Sequence, residues 1–407
     1  MKPVFDLVLQ RQLESLSTGN NAYLLTFLQA ARRADLHIRL VFAPWRSFGN
    51  RPWSAIHPGF DHVIDEVIWP RAIKLGRAYW SLSPRVWARF GVRVIKEGLR
   101  RLGVKQTIHS YLGDPLGRSE EKLVAAVCKV DPAAILIAEY SSLAPLLNRL
   151  PDHKVRGVLM HDLMSARAEQ FRLNDLKPDF LEVSAADEFE WVKSANLMVY
   201  ASADEMVTFG SQMSGARAVW LCPEPPVYAV SETVETPRLV FLGTRHAGNT
   251  DSINHFLGDI WPLVRARLPD VECWIAGSTG KDVAPEYEDL AGVKILGRVD
   301  DLADIGGPSS IGLAPTRLAS GVSIKVAEYL MLGMTCVAYP KALQGFGDAL
   351  NTMVDVSADK QAYADAIVAL VGDENRRVAQ AKNAPGEVAR IGRNQPVIDC
   401  LRELAAG

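Results

Sequence analysis

The chain has 407 residues, of which 48% are hydrophobic and 23% charged, with a formal net charge of −2. That length exceeds one ordinary core, so two domains of roughly 200 residues are expected, and the near-neutral balance excludes a global pull toward nucleic acid. No apolar run approaches the ~20 residues that span a bilayer, the start MKPVFDLVLQRQLES lacks a signal-peptide core, and the five scattered cysteines form no C-x-x-C pair, as in a cytoplasmic protein with reduced thiols.

Short apolar runs alternate with helical stretches from the start, which predicts an α/β fold of parallel sheets with crossover helices. In the first half, strands are expected at Phe5–Leu9, Ile38–Ala43, Ala134–Ala138, Gly157–Met160, Leu197–Ala201 and Ala218–Cys222. A glycine-bearing turn, Ser17-Thr18-Gly19-Asn20-Asn21, follows the first of these and precedes a helix. Residues 69–105 differ from their surroundings: ten Lys or Arg stand against one acid, Glu97, with Trp69, Tyr79, Trp80, Trp87 and Phe90 interleaved. Such a stretch suits an anionic membrane surface, while an insertion with a solvated basic face is the plain alternative. No module that reads nucleic acid accompanies it.

His161 and Asp162 end the strand Gly157–Met160. A lone histidine is more often a core or surface residue, and Asp162 alone would be a helix N-cap. The acidic run Asp187-Glu188-Phe189-Glu190-Trp191 reads as a solvated helix face. Residues 223–237 carry four prolines and no periodicity, the mark of a linker. The expected division is 1–222, this linker, a second domain over 238–385, and a terminal helix over 386–407.

In the second half, strands are expected at Arg238–Leu242, Glu272–Ala276, Val293–Leu296, Ile311–Ala314 and Cys336–Tyr339. Gly243-Thr244-Arg245 follow the first of them, a turn whose backbone an anion can approach, or a plain strand-to-helix turn. After Ala314 comes a loop ending in Ala319-Ser320-Gly321, then Val322-Ser323 and a helix bearing Lys325 and Glu328. A glycine loop entering a helix N-terminus offers free N–H groups and the positive dipole end, a natural phosphate site. Three residues apart, Lys325 and Glu328 share a face; one can neutralise phosphate while the other accepts from sugar hydroxyls. There is no D-x-D triplet and no H-x-x-x-H pair, so no metal site and no cofactor are expected.

Residues 308–346 resemble the donor-binding motif of GT-B glycosyltransferases of the family 4 type. The matching residues are Ala314-Pro315, Ser320, Gly321, Val322, Lys325, Glu328 and Gly333. The better-known motif has an earlier glutamate, and Ser320 stands in its place. The resemblance implies two facing Rossmann-like domains with an interdomain cleft, an acceptor-binding first domain and a nucleotide-sugar-binding second one. It implies donor contacts at Gly243, Thr244, Arg245, Ser320, Gly321, Val322, Ser323, Lys325 and Glu328. His161 and Asp162 would stand at the donor sugar as catalytic residues, and Gly19 and Asn20 would close over the diphosphate or touch the acceptor. A terminal helix crossing back to the first domain is a further implication. Ser323-x-Lys325-x-x-Glu328-Tyr329 is also similar to a stretch of the xanthan-type glucuronosyltransferase, so retention and inversion both stay open. The implied activity is metal-independent sugar transfer from a nucleoside-diphosphate sugar to a glycan or lipid-linked acceptor, in polysaccharide biosynthesis. A UDP-sugar 2-epimerase and an inactive nucleotide-binding subunit are the alternatives.

Overall fold

The computed structural model of the chain describes residues 2–16, 19–101, 113–173, 181–213, 215–224, 226–318, 322 and 324–407, the side chains of 97–101 excepted. Two compact units emerge: residues 1–201, 205–221 and 394–407 form one, and residues 202–204 and 222–393 the other.

The first unit holds strands β1 (Val4–Leu9), β2 (His37–Phe42), β3 (Trp53–Ala55), β4 (Glu66–Ile68), β5 (Ala72–Leu75) and β6 (Ala78–Ser81), then β7 (Ile135–Glu139), β8 (Val155–Met160), β9 (Leu197–Tyr200) and β10 (Arg217–Trp220). Seven of them form a parallel sheet in the order β10-β9-β8-β7-β1-β2-β4. Its middle strands are buried along their length, which is why they read as nearly unbroken apolar runs. Asp6 of β1, Arg156 of β8 and Glu139 at the end of β7 interrupt them, and the Asp6 carboxylate is met by Arg39 of β2 at 2.6 Å. The remaining strands pair antiparallel as β3-β6-β5.

The second unit is a parallel sheet in the order β13-β12-β11-β14-β15-β16. Its strands are β11 (Arg238–Leu242), β12 (Glu272–Ala276), β13 (Val293–Gly297), β14 (Ser310–Ala314), β15 (Thr335–Ala338) and β16 (Asp355–Val356). The chain ends in two helices, Glu374–Ile391 and Gln395–Ala406. Arg377 of the first is buried and donates to the carbonyls of Pro308, Leu370 and Val371 in the second unit. The last helix belongs to the first unit, where it packs on helix Gly19–Arg33 and on β10.

Sequence reading missed β3, β4, β5, β6 and β16. All are two to four residues long. Segments so short, at edges or in a small sheet, lack the buried run that marks a central strand.

Candidate functional site

In the second unit, β11 and β14 are neighbours at the middle of the sheet, and the candidate residues follow their carboxyl ends, where open α/β sheets bind ligands. Gly243 to His246 lead from β11 into helix Ala247–His255, whose N-cap is His246, its Nδ1 accepting from the Gly248 amide. The loop after β12 presses on this turn. Gly277 has φ +101°, and a Cβ there would lie 2.2 Å from the Gly243 carbonyl oxygen. Arg245 does not present a free charge: its guanidinium meets Asp282 at 2.7 Å and its amide donates to Ser278 Oγ at 3.0 Å.

Helix Ile324–Met331 carries Lys325 and Glu328. The Lys325 ammonium donates to Asn249 Oδ1 at 2.9 Å and stands 3.9 Å from the centre of the Phe241 ring. Asn249 in turn donates to the Thr244 carbonyl at 2.9 Å, so Lys325 is tied to the turn after β11. Burial pushes the Lys325 amine down to about 7, and no carboxylate pairs with it among the described residues. Glu328 accepts from the Tyr228 hydroxyl at 3.0 Å, and burial raises its pKa. Tyr329 fixes the two strands beneath: its hydroxyl donates to Leu313 O and accepts from Leu242 N. The ring fits only because residue 312 is glycine; a Cβ there would lie 2.4 Å from it. Val322 is partly buried. Ser320, Gly321 and Ser323 lie outside the described residues.

In the first unit, β1, β7 and β8 are adjacent, and their carboxyl ends bring Arg11, Glu139 and His161 together. Glu139 is fully buried. It accepts from His161 Nε2 at 3.0 Å and from Arg11 at 2.7 Å. Burial works to raise the Glu139 pKa, but the Arg11 charge and the His161 bond outweigh it, and the group is lowered overall. An ionised carboxylate only accepts, so Nε2 carries the imidazole proton. Burial holds the His161 pKa down despite Glu139, which leaves a neutral ring whose Nδ1 keeps a lone pair. Tyr140 stacks on that ring at 4.2 Å, and Tyr23 meets its edge at 5.0 Å. The Tyr140 backbone has φ +67° and ψ 152°, a conformation other residues leave to glycine. Such strain persists where the surroundings dictate it, here between β7 and the histidine.

Asp162, next to His161, pairs with Arg167 at 3.4 Å. Gly19 begins helix Gly19–Arg33 rather than lying in the turn, and Asn20 donates to the Tyr140 hydroxyl at 2.7 Å. In the acidic helix Asp187 and Glu190 are exposed as read, and Glu188 corrects the reading. Glu188 is buried, not solvated, and accepts from Ser141 Oγ and from the Met164 and Ser165 amides at the start of helix Met164–Leu173. Among the described residues no cluster of three or more His, Cys, Asp or Glu could hold a metal ion.

Residues 236–373 match the family model described as Glycosyl transferases group 1. That stretch, about a third of the chain, is similar to a group 1 glycosyltransferase domain. Solved structures resemble the whole chain. TarM aligns with a TM-score of 0.65 at 10% identity, covering 100% of this chain and 99% of its own. Sucrose-phosphate synthase from Thermosynechococcus elongatus aligns at 0.62 and 13%, covering 100% and 98%. Anabaena HepE, solved in complex with UDP and glucose, aligns at 0.56 and 11%, covering 98% and 99%. No curated protein sequence matches the chain significantly. At such identities the likeness is one of fold, and the chain has the GT-B fold.

The matched stretch contains every candidate of the second unit, from Gly243 to Glu328. Sequence reasoning missed Arg11, Glu139, Tyr140, Tyr228 and Asp282. The signal for Glu139 was present: a carboxylate ends the otherwise apolar run ILIAE. Arg11 lies two residues past the first strand, ahead of a glycine turn that carries the stronger local signal. Tyr228 stands in the proline-rich linker, where no local pattern shows what a side chain meets.

Proposed function

We propose that this chain transfers a sugar from a nucleoside-diphosphate sugar to a glycan or lipid-linked acceptor, without a metal ion, in the building of a polysaccharide. The observation that carries the reading is Lys325, a partly buried amine with no ion pair to a carboxylate among the described residues, tied through Asn249 to the turn after β11. A partly buried amine beside a glycine turn, in no direct ion pair, suits an anion that arrives with the substrate. In this reading the diphosphate lies at Gly243, Thr244 and the segment 320–323, and Lys325 stabilises charge on the leaving group. Glu328 would exchange the Tyr228 hydroxyl for hydroxyls of the nucleoside ribose. Arg245 would contribute only by leaving Asp282.

The first unit supplies the acceptor side, with His161 and Asp162 as its catalytic candidates. Neutral His161 offers Nδ1 as a hydrogen-bond acceptor to a sugar hydroxyl. A uridine nucleotide is favoured as donor because HepE was solved with UDP and glucose. The protein would act at the cytoplasmic face of an inner membrane, touching it through residues 69–105, of which 102–105 lie outside the described residues.

The test is a thermal-shift series with nucleoside diphosphates and nucleotide sugars, followed by transfer or hydrolysis of a radiolabelled donor in EDTA. Stabilisation by a diphosphate together with turnover is the expected result. Absence of any diphosphate effect would overturn the reading; binding without turnover would reduce the chain to an inactive nucleotide-binding subunit.

A further inference from the structure

The small sheet β3-β6-β5 has two unlike faces. On one, Tyr79 packs against Trp69, which is itself stacked on Phe42 and Phe48 of the main core. On the other, Trp80 lies opposite both Trp53 and Ile73 across the strands. Helix Pro84–Arg101 covers part of that second face through Phe90, 5.4 Å from Trp53, and Trp87, 6.4 Å from Trp80. The cover is incomplete. Ile73 and Leu75 of β5 and Leu82 beside the helix stay between 46% and 64% exposed.

The helix extends this apolar surface. At 3.6 residues per turn, Trp87 and Val94 share a line, with Ile95 and Val92 following around the same half. All four are 45% to 66% exposed. Val86, on the opposite half, is buried. Elsewhere in the first unit, exposed large apolar residues such as Val130 and Val207 stand apart in the sequence. Scattered exposure is ordinary, whereas a contiguous patch marks an interaction surface.

Charge identifies the partner. Residues 71–96 carry seven Lys or Arg and no Asp or Glu, in a chain whose net charge is −2. Arg85, Arg89 and Arg93 form a stripe beside the apolar half. Arg85 lies 4.7 Å over the Trp45 ring, while Arg89 and Arg93 donate to the carbonyls of Trp45 and Asn50. These contacts hold the helix on the unit without neutralising it, since no carboxylate meets the three among the described residues. An apolar face bordered by uncompensated cations and tryptophan is the pattern of a helix lying in a lipid interface.

We propose that the outer face of β5 and the apolar half of helix Pro84–Arg101 dock on an anionic lipid surface, with Trp87, Val92 and Ile95 inserted and the arginine stripe at headgroup level. This deepens the membrane part of the reading above and rests on it only there. The arginines serve to hold and orient the helix as well as to attract lipid, so the exposed apolar positions give the cleaner test.

The experiment is cosedimentation of the full chain with vesicles of phosphatidylcholine alone or with added phosphatidylglycerol. The parent should bind the anionic vesicles, less as salt rises, and Val92→Asp with Ile95→Asp should weaken binding about tenfold or more at an unchanged melting temperature. Quenching of tryptophan emission by brominated anionic lipid should fall in Trp87→Phe. No binding, unchanged binding by the double variant, or equal binding to neutral and anionic vesicles would each overturn the proposal. A chain that binds vesicles but no nucleotide keeps this surface and loses the sugar-transfer reading; the converse result separates the two in the other direction.

Discussion

A lysine amine partly enclosed by protein loses hydration that one hydrogen bond and one aromatic ring do not restore. Lys325 is held at about 7 against the ordinary lysine value of 10.5. Between those values the folded chain binds fewer protons at this residue than the unfolded chain, so its burial is a cost to stability. That cost is largest below the folded value and fades as pH rises toward the unfolded one. Lys325→Met should therefore raise the melting temperature near neutral pH, by the equivalent of about 1–3 kcal/mol. The same variant should weaken nucleoside diphosphate binding by roughly 1.5–3 kcal/mol. An arriving diphosphate recharges the amine, so binding takes up a proton once pH exceeds the folded value. Calorimetry in buffers of different ionisation enthalpy should show this for the parent and not for the variant. Equal diphosphate affinity in the two proteins would remove Lys325 from the site.

His161 poses the same question in the first unit. Glu139 fixes which nitrogen holds the proton, and Arg11 keeps Glu139 ionised. Glu139→Gln removes both constraints and one source of upward pressure on the His161 pKa. Turnover should fall at least tenfold or so, and the acid limb of the pH–rate profile should move to lower pH. Nucleotide affinity should hold. An unmoved profile would leave Glu139 as a partner of Arg11 alone, and His161→Ala would then test the ring by itself.

Among the elements, the loops rather than the strands carry the fine geometry of the donor site. Gly277 shows this: its positive φ and its approach to the Gly243 carbonyl admit no side chain. Gly277→Ala should cost roughly 1–3 kcal/mol of stability and should weaken diphosphate binding by displacing the turn after β11. Thermal melting together with calorimetry would check both, and unchanged affinity would separate that turn from the nucleotide. The sequence made the central strands legible because a parallel strand covered on both faces must be apolar throughout. Arg238–Leu242 and Glu272–Ala276 lie where the pattern predicts. Lys325 and Glu328 were legible because a helix fixes which residues share a face. The buried carboxylates were not. Glu139 and Glu188 take their partners from positions 22 to 128 residues away, and only the folded chain shows that Glu188 caps a helix instead of facing water.

At the scale of the whole molecule, each unit has a core of its own, and residues 394–407 belong to the first unit. Helix Gln395–Ala406 buries Val397, Ile398, Cys400 and Leu401 within the first unit. Arg402 donates to the Arg33 carbonyl at 2.8 Å, and Glu403 pairs with Arg217 at 2.7 Å. The exposed polar contacts add little; the apolar burial decides. At about 1.5–3 kcal/mol for each large side chain, and less for a compact unfolded reference, the helix contributes on the order of 5 kcal/mol. A domain is stable by only about 5–15 kcal/mol, so deleting residues 394–407 should bring the first unit close to its folding threshold. The second unit keeps its own core and the whole stretch 236–373 that matches the family model. Calorimetric scans of the shortened chain should therefore show an early transition that a nucleoside diphosphate does not raise, and a later one that it does, as mass action requires of the unit that binds it. A single transition at the parent's temperature would mean that the terminal helix contributes little, whatever it buries.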